Sequence, residues 1–134
     1  MDNYYGTNNT IDENEFDQED IREYRLLSVV AYIWFGFIFT NSIGGCSKYA
    51  KFHANQGCIL FICDILIGVV AGVVFALLMN IPVLGSVAMP ISIAFSVVYT
   101  ILSIGIRIYC IVNVMKDKAK QIPVIGKLTI IAWN

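Results

Sequence analysis

The chain has 134 residues, 57% of them hydrophobic and only 14% charged, and its mean hydropathy is +0.70. A soluble domain carries about 25% charged and roughly 45–50% apolar residues, so the composition argues against an ordinary soluble enzyme, a nucleic-acid binder with a basic face and a disulfide-knit secreted domain. The net charge of −1 hides a partition: residues 1–25 hold eight acids and two bases (−6), while residues 26–134 hold seven bases and two acids (+5).

Residues 1–20 are rich in Asn, Asp, Glu, Gln and Gly. They bury too little apolar surface to offset the entropy of ordering, so the composition predicts a disordered acidic tail. Residues 17–25 have the character of a short interfacial helix. The start, Met-Asp-Asn-Tyr-Tyr, stays polar to Tyr24 and does not follow the basic-then-apolar pattern of a signal peptide. Residues 21–134 read as one membrane helical domain.

The uncharged stretch Leu26–Ile43 is 18 residues long, just enough for a hydrocarbon core that needs about 17–25, and it is the first expected span. Gly44-Gly45 ends it. Gly36, Thr40, Asn41 and Ser42 weaken its second half, so a shallow, kinked or re-entrant helix is the rival reading. Residues 46–56 (CSKYAKFHANQ) form a polar interfacial linker that runs helically into the second span, 57–79, whose one charge is Asp64. The uncharged run from 65 to 106 is too long for one crossing, and Pro82, Gly85 and Pro90 break helices. The expected turn therefore lies at 80–90 and the third span at 91–113. The closing IPVIGKLTIIAWN (122–134) is shorter than about 17 residues and suits an interfacial or re-entrant helix. IPVLG (81–85) echoes IPVIG (122–126), and both read as proline-set turns at the membrane edge. The expected fold is all-α, with three transmembrane helices plus a short C-terminal element.

Lys and Arg beside the spans set orientation. With three spans, Lys48, Lys51, Lys116, Lys118, Lys120 and Lys127 share one side, against Arg22 and Arg25 on the other. This places the 44–56 linker and the C-terminus in the cytoplasm of a multi-pass cell-membrane protein, with the tail outside. A re-entrant first segment would move the tail inside.

Charges at membrane depth are costly and face protein or water. Asp64 lies 16 residues before Asn80 and Arg107 lies 17 after Pro90. At 1.5 Å per residue both are about 24–26 Å from the turn, which predicts an intramembrane ion pair. Gly68, Gly72 and Ala76 continue a small-residue stripe from Asp64, and Ser92, Ser96, Thr100 and Ser103 form a hydroxyl stripe ending at Arg107. Small stripes allow close helix approach and hydroxyls bond across helices, so these faces are expected to pack. A hairpin clamp is the favoured role, ahead of a polar pathway or proton site.

Cys46, Cys58, Cys63 and Cys110 contain no C-x-x-C pair and read as small hydrophobes. His53 has no matched nucleophile or ligand set, and no H-E-x-x-H, G-x-S-x-G or P-loop pattern occurs. The expectation is a non-enzyme with no cofactor and no metal.

The run K-F-H-A-N-Q-G (51–57) follows one aromatic-rich apolar segment and opens the next. With Phe52, His53, Ala54, Gln56 and Gly57, and later Pro123, Val124, Ile125 and Gly126, the chain resembles a family over residues 26–131. These are small bacterial multi-pass membrane proteins of unknown function, related to the twenty-kilodalton component of the chloroplast inner-envelope (Tic) import translocon. The plastid relatives are four-helix proteins in a protein-conducting channel, so the resemblance implies a fourth helix at the C-terminus and a role near transport. The motif is expected to seat the second helix at the cytoplasmic face, with His53 and Gln56 meeting headgroups, water or the C-terminal segment. The expected function is helix packing as a subunit or accessory of a transport or translocation assembly. The alternative is an autonomous protective or signalling protein, such as one giving immunity to a membrane-active peptide. Expected partners are the lipid bilayer and either further copies or another membrane protein, and no nucleic acid.

Overall fold

A computed structural model describes residues 16–120 together with Ile122, Ile125, Leu128, Ile130 and Ile131. The described residues form four helices: α1 (Gln18–Val30), α2 (Gly36–Ile43), α3 (Lys48–Met79) and α4 (Pro82–Met115). The chain divides into two compact units, one of residues 1–61 with 107–134 and one of residues 62–106.

In the first unit, Asp17 is the N-cap of α1. Its carboxylate accepts from the Glu19 amide at 3.1 Å, satisfying one of the unpaired amides of a first turn. Glu19 and Asp20 add negative charge where the helix dipole favours it. Phe16 is buried with Ile21, Tyr49, Phe52 and Ala119. The expected disordered tail is therefore too long: residues 16–20 are ordered by a core aromatic and a cap. Its remaining part, residues 1–15, lies outside the described residues.

The expected first span, 26–43, is not one helix. α1 stops at Val30, the chain turns through residues 31–35 with Trp34 at φ 39°, and α2 starts at Gly36. A Cβ on Gly36 would stand 1.7 Å from the Val30 carbonyl oxygen, so the hairpin requires glycine here. Thr40 closes it: its hydroxyl shares a proton between the Leu27 carbonyl at 2.8 Å and the Gly36 carbonyl at 3.0 Å. Hydropathy alone does not register a backbone contact of this kind. α2 does end at Ile43, beside Gly44-Gly45.

The expected interfacial linker is also corrected. Ser47 caps α3, accepting from the Ala50 amide at 2.9 Å. The Asp20 carboxylate accepts from the Ser47 hydroxyl at 2.9 Å and the Tyr49 amide at 3.3 Å. Residues 48–56 are thus the first turns of α3, and most are buried in the first unit. A second apolar cluster joins Tyr32, Leu60, Cys110, Val114 and Ile122.

α4 ends in a left-handed turn. The Lys118 amide bonds the Asn113 carbonyl and the Asp117 amide bonds the Val114 carbonyl, both at 2.9 Å, with Asp117 at φ 59°. This is the Schellman arrangement, with aspartate where glycine is usual. Arg25 of α1 holds that aspartate, Nε to Oδ1 at 2.7 Å and Nη2 to Oδ2 at 2.8 Å. Ile122, Ile125, Leu128, Ile130 and Ile131 are not helical, and the rest of the expected C-terminal element, 122–134, lies outside the described residues. The amides of Ile122, Ile130 and Ile131 bond to side chains of α3 instead.

The second unit holds the later part of α3 and the earlier part of α4. The turn is tighter than expected, at Asn80-Ile81. Pro82 starts α4 instead of breaking it, and Pro90 lies within the helix. The missing amide of a proline costs nothing at the first helical position. Gly85 packs under the turn, where a Cβ would stand 2.7 Å from the Met79 carbonyl oxygen. Among the described residues, α3 and α4 are long and apolar enough to cross a membrane, which is two such helices where three were expected. α3 has 32 residues, about 48 Å at 1.5 Å per residue, longer than a hydrocarbon core of about 30 Å. Its excess is the buried N-terminal part. From Ile62 onward its apolar side chains are largely exposed.

Candidate functional site

Two constellations stand out, one in each unit. In the first unit the F-H-A-N-Q-G run is a buried polar shelf. His53, Asn55 and Gln56 are each at most 1% exposed. Burying such groups is costly without hydrogen bonds, and most of their bonding is accounted for. The Asn55 amide donates to the Leu128 carbonyl at 2.8 Å, and its oxygen accepts from the amides of Ile130 at 2.6 Å and Ile131 at 2.8 Å. Gln56 Oε1 accepts from the Ile122 amide at 3.1 Å.

His53 is interior, not interfacial. Its Nδ1 pairs with the Tyr32 hydroxyl at 2.8 Å, and the rings of Tyr32, Tyr49 and Phe52 meet it edge-on. Nε2 has no hydrogen-bond partner among the described residues. Gly57 completes the motif: a Cβ there would stand 2.0 Å from the Ala31 carbonyl oxygen, so only glycine lets α3 approach the α1–α2 turn. Phe52 and Ala54 are fully buried. Pro123 and Gly126, the later part of the family-like motif, lie outside the described residues.

Arg107 donates from Nη1 to the Tyr32 carbonyl at 2.6 Å, holding the same turn that Gly57 abuts. Sequence reasoning did not single out Tyr32 or Asn55. The Asn-Gln pair inside an otherwise apolar helix was the available signal.

In the second unit Asp64 is the one charged residue. Its Oδ1 accepts from the Tyr99 hydroxyl at 2.5 Å and the Ser103 hydroxyl at 3.2 Å. Tyr99 is a partner the sequence reading missed. The expected Asp64–Arg107 pair joins residues of different units and is left as an expectation. The two stripes line a shared open groove of about 500 Å³, with Gly68, Gly72 and Ala76 on α3 and Ser92, Ser96 and Thr100 on α4. The expected close packing over the glycines does not occur among the described residues: a Cβ on Gly68 or Gly72 would meet none of their atoms within 4 Å. The hydroxyls turn back on their own helix, Ser96 to the Ser92 carbonyl at 2.8 Å and Thr100 to the Ser96 carbonyl at 2.7 Å.

Among the described residues no group of three or more His, Cys, Asp or Glu is placed to hold a metal, and all four cysteines are free thiols. No family model, curated protein or solved structure matches the chain.

Proposed function

We propose that the chain is an integral membrane protein with two spans, acting through helix packing as a subunit or accessory of a transport or translocation assembly. The observation that carries this reading is the groove of the second unit. Its small residues face open space, and the surrounding Val, Leu and Ile side chains are exposed along both helices. Water does not tolerate a contiguous apolar surface of this extent, whereas lipid covers the Val, Leu and Ile faces. Small residues at membrane depth have their best-attested use where another helix comes close.

Two spans also simplify the orientation. All nine Lys and Arg lie in residues 1–61 or 107–134, and the turn at Asn80 has none. An even number of crossings puts both ends of the chain on one side, and the charge rule makes that side cytoplasmic. The acidic tail then lies inside, as the re-entrant alternative required. The resemblance to the Tic-related family is compatible with this reading, and transport is the part of the proposal that leans on it.

The test has two parts. Single cysteines in an otherwise cysteine-free chain, at Ser86 and at Lys118, are labelled from outside intact cells with an impermeant maleimide. Labelling at Ser86 and protection at Lys118 is expected, and the reverse pattern defeats the topology. The protein is then purified in mild detergent after brief cross-linking, as wild type and as Gly72→Leu. A co-purifying membrane protein that is lost on Gly72→Leu supports the subunit reading. Retention of the same partner by the variant removes the groove from the interface.

A further inference from the structure

The tip of the α1–α2 hairpin carries large apolar side chains that the first unit leaves uncovered. Ile33, Trp34, Phe35, Ile38 and Phe39 are each at least half exposed, within a stretch, 26–47, that holds no charge. Trp34 is 71% exposed and sits at φ 39°, an outlying conformation for a bulky residue. A chain turning through the left-handed region in water most easily uses glycine or asparagine, whereas this tip sets out a tryptophan ring. The backbone behind it is tied down. The amides of Tyr32, Ile33 and Gly36 donate to the carbonyls of Val29, Val30 and Ile33. The Tyr32 carbonyl accepts from Arg107 Nη1 at 2.6 Å and the Leu27 carbonyl from the Thr40 hydroxyl at 2.8 Å. Irregular backbone survives at membrane depth only where its polar groups are satisfied by protein or water, and this turn meets much of that condition within the first unit.

Contacts along α3 set the depth of the tip. Near the start of α3, the Asp20 carboxylate accepts from Ser47 and the Tyr49 amide, and a Cβ on Gly44, where α2 ends, would stand 2.6 Å from that of Ala50. Further along, the Ala31 carbonyl abuts Gly57, and the rings of Phe35 and Phe37 lie 4.9 and 5.5 Å from that of Phe61. The hairpin therefore descends beside the first turns of α3 and returns, with acids at its open end and aromatics at its tip. A hydrocarbon core of about 30 Å takes about 20 residues of helix. Counted back from Met79, where α3 ends, its boundary falls near Leu60. Phe35 and its neighbour Trp34 stand at that level, where amphipathic aromatic rings are favoured.

We infer that the hairpin tip is a lipid-docking surface: Trp34, Phe35 and Phe39, with Ile33 and Ile38, enter the upper acyl chains of the leaflet on the side of both termini. The occupant is phospholipid. Residues 26–47 offer no charge, so the contact is with acyl chains and not with a particular headgroup. The depth rests on the two-span reading, and the test separates the two.

Trp133→Phe leaves Trp34 as the only tryptophan. The full chain carrying it is reconstituted in phosphatidylcholine vesicles whose acyl chains bear bromine, a contact quencher, either high on the chain or near its end. A second protein, Trp34→Phe with Trp133→Phe and Val70→Trp, reports from the middle of the counted span, where Val70 is exposed. Trp34 is expected to lose more emission to the high bromines than to the low ones, and the Val70→Trp protein the reverse. Quenching of the Val70→Trp protein without quenching of Trp34 overturns the docking surface and leaves the spans standing. Iodide on both sides then separates a tip in water, which it quenches, from a tip covered by a second copy or another chain, which it does not. Trp34 quenched mainly by the low bromines contradicts the boundary placement and also overturns the proposal. An unquenched Val70→Trp protein defeats the two-span reading, while the response of Trp34 itself still decides whether the tip meets lipid.

Discussion

Gly57 and Gly68 lie on the same helix, and alanine at each should have opposite effects. At Gly57 a Cβ would stand 2.0 Å from the Ala31 oxygen and 2.9 Å from its carbonyl carbon. Both are main-chain atoms, which cannot swing aside as a side-chain tip can. Alanine must therefore push α3 off the turn that Arg107 also holds. Forcing extra atoms into a packed site costs about 1–3 kcal/mol, occasionally more. The helix-propensity gain of alanine over glycine is about 1 kcal/mol, so Gly57→Ala should destabilise by up to about 2 kcal/mol net, and by more where the clash is not relieved. At Gly68 the added Cβ meets nothing, so only the propensity gain of up to about 1 kcal/mol remains. The assay is denaturant unfolding in one detergent, with hydrogen exchange followed at residues 29–36. Gly57→Ala should unfold earlier and expose that turn, while Gly68→Ala should match or exceed wild type. Equal stability of the two variants would refute the close approach of α3 to Ala31.

Asp117 offers a second comparison, since it combines a left-handed backbone with a half-exposed ion pair to Arg25. Asp117→Asn keeps a residue that tolerates the backbone and loses the pair, costing about 0.5–1 kcal/mol after solvent screening; the difference should shrink in high salt. Asp117→Gly also relieves about 1 kcal/mol of backbone cost, so its thermal midpoint should lie close to wild type. Thr40→Val removes the hydroxyl that closes the α1–α2 hairpin and should cost about 1 kcal/mol, read as faster exchange of the α2 amides. Burial holds the Tyr32 phenol well above its ordinary value of 10. The unfolded chain releases that proton near pH 10 and the folded one does not, so stability is full below pH 10 and falls as pH rises past it. Tyr32→Phe should flatten that fall in a denaturation series from pH 8 to 11, and an unchanged slope would contradict the burial.

The long helices were legible because hydropathy and length suffice for them. α3 and α4 appear where apolar runs exceed what one loop can hold, and the charge partition marks their ends. What hydropathy misread was decided by backbone contacts. Leu26–Ile43 has the length of a span, but Gly36 against Val30 and Thr40 against Leu27 fold it into a hairpin. Pro82 looked like a breaker and acts as a first-turn residue, since its missing amide is harmless there. At the shelf, the motif drew attention to His53 and Gln56, yet Asn55 also holds the C-terminal segment, through Leu128, Ile130 and Ile131. Those partners lie more than 70 residues away, and no local pattern announces them.

The two units differ in what holds them. The first has buried aromatics, helices capped by Asp17 and Ser47, and a hydrogen-bonded polar shelf, all features that stabilise a fold in water. In the second, only Ala88 is buried between residues 62 and 106. Its internal contacts include the Asp64–Tyr99–Ser103 bonds and the Phe75–Phe95 ring pair at 5.8 Å. The hydrophobic effect within the chain therefore contributes little to that hairpin, because its apolar atoms have not left the surface. On the proposed reading, lipid or a partner supplies what the chain does not. A shift to a harsher detergent should accordingly loosen residues 62–106 before residues 18–60, read by hydrogen exchange. Simultaneous loosening of both would mean that the first unit has no stability of its own, against its capped and cored construction.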